Sequence, residues 1–479
     1  MANPDHLQQL RTGRWAAWRA ANPTIAPDLI DADLAGLDLR GLDFAKAHFR
    51  GADLSNARLD GANLSHAGLE ATVLSGATFR DATLDNTHLD FLDLSGLDLS
   101  GASLQGTSFR GANLTRANLR RSNLTRAGLE SAILDQSDLS GANLYGTSLR
   151  GARFSDTVLR GVHAEHSILE GVELLNLSME AAIFDNAHAD NAQLRGSKLA
   201  RASFRGASLR GANLHSAQLA EANFDEAQCE GASLSHADLE RASFVRTNLS
   251  QADLRHSSLI GATFDGCLLA GAQLAELDFR SPSLGRVSFA TASLRKAIFT
   301  RCELRSADFH EANLEEADFR NANLEGANLR GARINHATFR HANLKQADLS
   351  GVQATGTDLS GTNMILVTAA GGTLIGADLR FTDAIGIDLR KADIRWSDLR
   401  NADLTKANVT TTRMWGARVR NTKLPGNMGH MLVLLRFSQL FQGVGAKRRK
   451  ALEARERKRV QQVAELVRDR EATRKRRGP

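Results

Sequence analysis

Residues 301–350 read RCELRSADFHEANLEEADFRNANLEGANLRGARINHATFRHANLKQADLS. Split into fives, the stretch places an apolar residue at Leu304, Phe309, Leu314, Phe319, Leu324, Leu329, Ile334, Phe339, Leu344 and Leu349, with alanine two places earlier in almost every unit. A period of five matches neither the 3.6 of an α-helix nor the 2 of a strand, so a fixed-period repeat takes precedence over local propensity. Extended both ways, the frame holds for eighty consecutive pentapeptides, from Leu29 to Leu424, without an insertion. Only Ala164, Ala189, Cys229, Ala354, Ala369 and Ala384 are centres that are neither large aliphatic nor aromatic.

Units such as 327–331 (Ala-Asn-Leu-Arg-Gly) and 347–351 (Ala-Asp-Leu-Ser-Gly) resemble the pentapeptide-repeat proteins, and the resemblance covers about four-fifths of the chain. It implies an all-β solenoid: a right-handed quadrilateral β-helix of about 20 coils, four pentapeptides per coil and one per face. Physical chemistry agrees. The centre and the small residue two before it point inward, the other three face water, and glycine at the following corner, as at Gly36 and Gly41, suits a tight turn. Residues twenty apart then stack. Phe184, Phe204, Phe224, Phe244 and Phe264 share that spacing, and Phe279, Phe299, Phe319 and Phe339 repeat it on another face. At ~4.8 Å per coil, twenty coils make a rod on the order of 95 Å.

Four segments follow: an N-terminal capping helix (1–24), the repeat β-helix (25–424), a C-terminal apolar helix (425–445) and a basic tail, helical or disordered (446–479). Residues 5–21 read as one amphipathic helix with Leu7, Leu10, Trp15 and Trp18 on a shared face, ended by Asn22-Pro23. An open solenoid end exposes core and unpaired backbone, so such a cap is physically required. The segment Trp15-Ala16-Ala17-Trp18-Arg19 is similar to leaders before other bacterial pentapeptide arrays. The pattern loosens at 157–191 and 352–372, where Ala replaces large centres and Ile168, Ile183 and Ile365 take normally polar positions; this reads as ordinary drift in a tolerant repeat, with pinch points or bends as the alternative.

Composition narrows the function. Hydrophobic content of 42% with only 5% aromatic fits a slim interior. Cys229, Cys267 and Cys302 all fall at inward positions, which reads as small buried hydrophobes in a reducing, cytoplasmic setting rather than a disulfide framework. No stretch is apolar enough for a transmembrane helix and the N-terminus lacks signal-peptide layout, although export without a cleaved signal stays open. The net charge of +6 is unevenly placed: 425–479 holds 15 Lys+Arg against 5 Asp+Glu, while the repeats sum to −5.

Groups that converge in a cleft are the requirement for catalysis, and a regular rod offers flat faces. Gly351 and Gly356 have phosphate-loop spacing, but Thr357 stands where lysine is needed. His163 and His166 have no accompanying ligand cluster, so no metal or cofactor is expected. Arg320, Arg340, Arg380, Arg400 and Arg420 share one outward face, three of them two residues after Asp318, Asp378 and Asp398, which predicts neutralising pairs.

The reading is a non-enzymatic rigid scaffold that binds a macromolecular partner through flat faces and its C-terminal segment. Its candidate contacts are Ile375, Trp396 and Trp415, outward on nearly one face of three successive coils, and Leu432, Leu435 and Phe441. The C-terminal helix is the preferred cover of that aromatic face, with a partner protein second; it could also cap the last coil or pair with a second copy. An alternative comes from the resemblance: some members mimic duplex DNA and protect DNA gyrase. A ~95 Å duplex carries on the order of 56 negative charges, far more than these repeats, yet local acidic groups remain at Asp81, Asp85, Asp90, Asp93 and Asp98, and at Glu303, Asp308, Glu311, Glu315, Glu316 and Asp318. A third reading has Lys447, Arg448, Arg449, Lys450, Arg457, Lys458 and Arg459 bind nucleic acid or an anionic membrane.

Overall fold

Each pentapeptide folds as one rung and one corner. In the computed structural model, which describes residues 2–426, the residue before every centre forms a parallel bridge to the residue twenty positions on, from Asp28↔His48 to Asp403↔Lys423, with few gaps. Four units therefore complete one coil. The rungs are too short to count as strands, but their bonds are those of a parallel ladder: Leu34 N–H donates to the Asp53 carbonyl at 2.9 Å, and Asp53 N–H to the Ala32 carbonyl at 2.9 Å. We call the faces A to D after the first four centres, Leu29, Leu34, Leu39 and Phe44. Within a unit, the positions are small, bridge, centre, shoulder and corner.

The corner is where sequence and backbone strain meet. The small residue of the next unit donates back to the centre carbonyl, as Ala57 does to Leu54 at 3.0 Å, closing a turn whose third residue takes positive φ, the sign pattern of a type II turn. Every corner from Asp31 to Asn421 except Ser281 has positive φ; thirty are glycine and forty-eight are not. Glycine is thus favoured but not required. A non-glycine residue forfeits ~1–2 kcal/mol in this region, and the corner is held there by a ladder bond that both kinds make, as Asn56 N–H does to the Ser75 carbonyl at 2.9 Å and Gly36 N–H to the Ser55 carbonyl at 2.8 Å.

Inside, the small and centre positions are almost uniformly buried. Phe184 to Phe264 stack on face D at 5.0–5.2 Å between ring centroids, and Phe279 to Phe339 on face C at 4.7–4.8 Å. A ladder absent from the sequence reading, Phe289 and Phe309 on face A, meets the face C rings edge-on across the core at 5.5–5.8 Å. Opposite faces touch, so the interior is one aromatic layer thick.

One expectation needs correction. Residues 5–21 form two helices, α1 (Pro4–Arg11) and α2 (Trp15–Ala21), because Gly13 turns at φ 69 and Thr12 N–H closes α1 onto the Gln8 carbonyl. They lie on the first coil: Trp15 is buried against Phe44 at 5.0 Å, and its Nε1 donates to the Asp43 carbonyl at 2.9 Å. Arg19, buried, pairs with Asp43 and donates to the Ala45 and Ile25 carbonyls. At 157–191 and 352–372, where the loosened pattern left pinch points, bends or ordinary drift open, the rungs continue apart from one missing between Arg153 and Glu173. The disturbed turn lies at 280–282 instead. Pro282 occupies a small position and has no N–H to close it, and it bars Ser281 from the corner conformation.

Candidate docking surfaces

Since side chains at bridge, shoulder and corner positions all face outward, the surface is a set of columns with a twenty-residue step. Most polar columns are internally satisfied. A bridge-position Asp or Asn accepts the N–H of its own shoulder residue, as Asp53 does from Ser55 at 2.8 Å; elsewhere a shoulder Asp accepts the N–H one coil on, as Asp85 does from Gln105 at 2.9 Å. The arginine column behaves as its spacing predicts: Asp318–Arg320 and Asp378–Arg380 close at 2.6 Å and Asp398–Arg400 at 2.7 Å. Arg340 and Arg420 make no ion pair among the described residues.

The acidic groups are similarly engaged. Asp98 pairs with Arg80, Glu315 with Arg333 and Glu316 with Arg295, while Asp90 caps the Arg110 N–H. Hydrogen bonding to Arg40 holds the Asp38 carboxyl down at about 2, and hydrogen bonding to Lys423 does the same for Asp403. Burial pushes the thiols of Cys229 and Cys267 far above their ordinary value and that of Cys302 up to about 12.

Groups that could do chemistry stay apart. His163 and His166 are the bridge and corner of one unit, but His163 lies near Glu165 at 3.7 Å while His166 sits against Tyr145 of the preceding coil at 5.2 Å, so they do not face a common centre. Gly351 and Gly356 are ordinary corners at φ 66, and Thr357 points inward to the Ile334 carbonyl at 2.8 Å. Among the described residues no three His, Cys, Asp or Glu side chains gather as a metal site, and no helix is long and apolar enough to cross a membrane.

Against this paired surface the exposed apolar side chains stand out. On face B, Trp396 is 45% and Trp415 58% exposed, their rings 4.4 Å apart and nearly perpendicular, with Ile375 half-buried one coil below. The Trp396 ring lies over Gly416, where an added Cβ would stand 2.4 Å from it. Leu432, Leu435, Phe441 and the basic residues Lys447 to Arg459 lie outside the described residues. On the opposite face, D, a patch that the sequence reading left unassembled joins Ile365, Leu366, Phe381 and Ile385; Leu366 and Phe381 are well exposed. Its signal was present in the repeat frame, as apolar residues at shoulder and corner positions one coil apart.

Comparison with known proteins supplies the family. The profile described as "Pentapeptide repeats (8 copies)" matches residues 28–174 in overlapping blocks, 190–225 and 373–411, and that described as "Pentapeptide repeat region" matches 232–309 and 292–379. The chain belongs to the pentapeptide-repeat family. Among solved structures, it is similar to a pentapeptide repeat protein (Rfr23) from the cyanobacterium Cyanothece 51142, at 28% identity over 21% of this chain, with TM-score 0.17. That match spans 63% of the other protein, less than two thirds of its length. HetL from Nostoc sp. strain PCC 7120, involved in heterocyst differentiation regulation, is 27% identical over 56% of this chain and 97% of its own, with TM-score 0.20. QnrB1, a plasmid-mediated fluoroquinolone resistance protein, is 23% identical over 43% of this chain and 90% of its own, with TM-score 0.21. None of the curated proteins compared with the chain matches it.

Proposed function

We propose that this chain is a non-enzymatic scaffold, a right-handed rod of about twenty coils and ~95 Å at ~4.8 Å per coil, that docks a macromolecular partner on its faces in a reducing compartment. One observation carries the reading: the Trp396–Trp415 pair is exposed on a surface whose polar groups are otherwise largely paired with each other. Tryptophan is enriched among the few residues that dominate binding energy, at 2 kcal/mol or more each. The test is capture from the native host with wild-type chain and with Trp396→Ala/Trp415→Ala, followed by titration of the purified partner. A loss of about 30-fold or more, from ~2 kcal/mol, is the expected result. Equal affinity of the two proteins, or turnover of a small substrate abolished by a surface substitution, removes the reading.

A second reading has its own observation. Residues 29–109 hold 12 Asp+Glu against 5 Lys+Arg, so the acidic excess of the repeats lies in the first four coils, and 110–424 is net +2. Four coils span ~19 Å, over which a duplex carries about 11 charges, so the first four coils reach the order of a duplex's charge density. A DNA-mimicking contact with gyrase then belongs to this end, and unchanged gyrase supercoiling and quinolone poisoning in the presence of the purified chain rejects it. Polyanion binding by 446–479 would instead show affinity falling steeply with salt and lost on deleting that segment.

A further inference from the structure

The tryptophan pair has a complement at the other end of its own face. In the first four coils, face B presents Asp33, Asp53 and Asp93 outward and no lysine or arginine. Each of these carboxylates accepts the N–H of its shoulder residue, at 3.3, 2.8 and 3.1 Å, and none makes an ion pair among the described residues. The ion pairs of these coils fall instead on Asp38, Asp43 and Asp98, on other faces. Relief is low as well: apart from Asn56 and Val73, the remaining outward residues are alanine, serine or glycine. The far end of face B has the reverse character. There Trp396 and Trp415 project, with Ile375 one coil below, and the exposed Arg413 makes no ion pair among the described residues.

A two-fold axis lying between two rods and across their length turns one rod end for end and keeps each column opposite itself. The first coil then meets the last, and the second meets the one before it. Asp33 comes opposite Arg413 of the second copy, and the two tryptophans come over Ala35, Gly36 and Ser55, where low relief leaves room for the rings. Val73 and Ile375 fall on the same pair of opposed coils. Each contact is made twice, once at either end. Parallel pairing would set the aspartates against their own copies, and like charges brought face to face are costly. Nearer the middle, Asp135 comes opposite Glu315 and Arg195 opposite Arg255, but three of these charges are already neutralised within their own copy: Asp135 by Arg153 at 2.7 Å, Glu315 by Arg333 at 2.6 Å and Arg255 by Asp253 at 2.8 Å. A face about 10 Å wide, three steps of ~3.3 Å, and ~95 Å long presents on the order of 950 Å², against the ~800 Å² per partner of a standard stable interface. Four coils alone present about 190 Å², so the rods have to lie along each other rather than touch at one end. We infer that the occupant of the tryptophan face is a second copy of this chain, packed antiparallel along face B. The inference rests on the reading of that face as a docking surface and names what docks there.

The test uses the full chain. Sedimentation equilibrium should give the mass of two chains, and small-angle scattering a maximum dimension close to that of one rod. Asp33→Arg and Arg413→Glu should each weaken the dimer tenfold or more, and the double variant Asp33→Arg/Arg413→Glu should restore it. Trp396→Ala/Trp415→Ala should weaken it about 30-fold or more. Orientation is read by mixing copies carrying Ser75→Cys with copies carrying Ile375→Cys under mild oxidation; the three native thiols are buried and stay out of the reaction. Disulfides joining the two kinds of copy are expected. Disulfides within one kind mean a parallel pair, a dimension near twice the rod means end-to-end contact, and a dimer indifferent to the tryptophan and charge variants uses another surface; each overturns the proposal. So does a wild-type chain that stays monomeric at ~100 μM. If that monomer still binds a host protein and loses it with Trp396→Ala/Trp415→Ala, the docking reading stands and only the second copy falls.

Discussion

At the scale of single residues, the repeat is a device for satisfying one awkward backbone group. The shoulder N–H sits inside a turn with no rung partner, and a bridge-position Asp or Asn reaches it, as Asp348 does for Ser350 at 2.8 Å. That is why the motif reads Ala-(Asp/Asn)-Leu and not merely small-polar-apolar. Asp348→Ala should lower stability by about 1 kcal/mol, seen as a shift of the urea midpoint without a change of slope. Corners follow a two-coil rule: a side chain at one corner leans over the corner twenty residues on. Gly416→Ala therefore meets both a φ of 77 and the Trp396 ring, whereas Gly36→Ala at φ 68 meets open space. The second should lose about 1–2 kcal/mol and the first clearly more; equal losses in thermal melts would refute the leaning-corner account. The inward positions of the three cysteines were legible from the five-residue frame. The leaning corners were not, because they depend on a neighbour twenty residues away whose identity the frame leaves free.

At the scale of the element, stacked rungs carry the fold. Phe224 is fully buried between Phe204 and Phe244, at 5.0 Å from each. Phe224→Ala should lose about 3–5 kcal/mol, while Phe91→Ala, on a corner 74% exposed, should lose far less; urea midpoints of the two variants make the comparison. The stacks on faces C and D followed from the twenty-residue spacing alone. The edge-on contacts from Phe289 and Phe309 did not, since they require knowing how thin the interior is. The N-terminal helix was misread for a local reason: Leu7, Leu10, Trp15 and Trp18 do face one way, but Gly13 breaks the helix between them, and the docking is done by Trp15 and Arg19 together. Pro282 was the stronger signal for a disturbed turn than the loosened centres at 157–191, because a missing N–H cannot be compensated by packing whereas a smaller centre can.

At the scale of the whole molecule, the column is laced by many carboxylate–cation pairs along and between coils, and these set its response to pH. Hydrogen bonds to Arg40, Lys423 and Arg390 hold Asp38, Asp403 and Asp388 below the ordinary carboxylate range, the first two at about 2. A carboxyl whose folded pKa lies below its unfolded one binds fewer protons folded than unfolded. It therefore contributes stability above pH ~4 and loses it as the pH falls toward the folded value. Each pair is solvent-exposed and individually weak, but coils contact only their neighbours, so losses along the rod add. Melting temperature should be level between about pH 5 and 8, then fall steadily from pH 4 to pH 2. Added salt at neutral pH should move it in the same downward direction, because exposed pairs are screened. Arg40→Gln and Lys423→Gln should flatten the acid limb, leaving less to lose between pH 4 and 2. A melting temperature that rises on acidification would mean that repulsion among the Asp31–Asp98 carboxylates in the first four coils outweighs the pairs. In that case the acidic end is a strained, partner-neutralised surface, and the same titration would favour the duplex-mimicking reading over the tryptophan face.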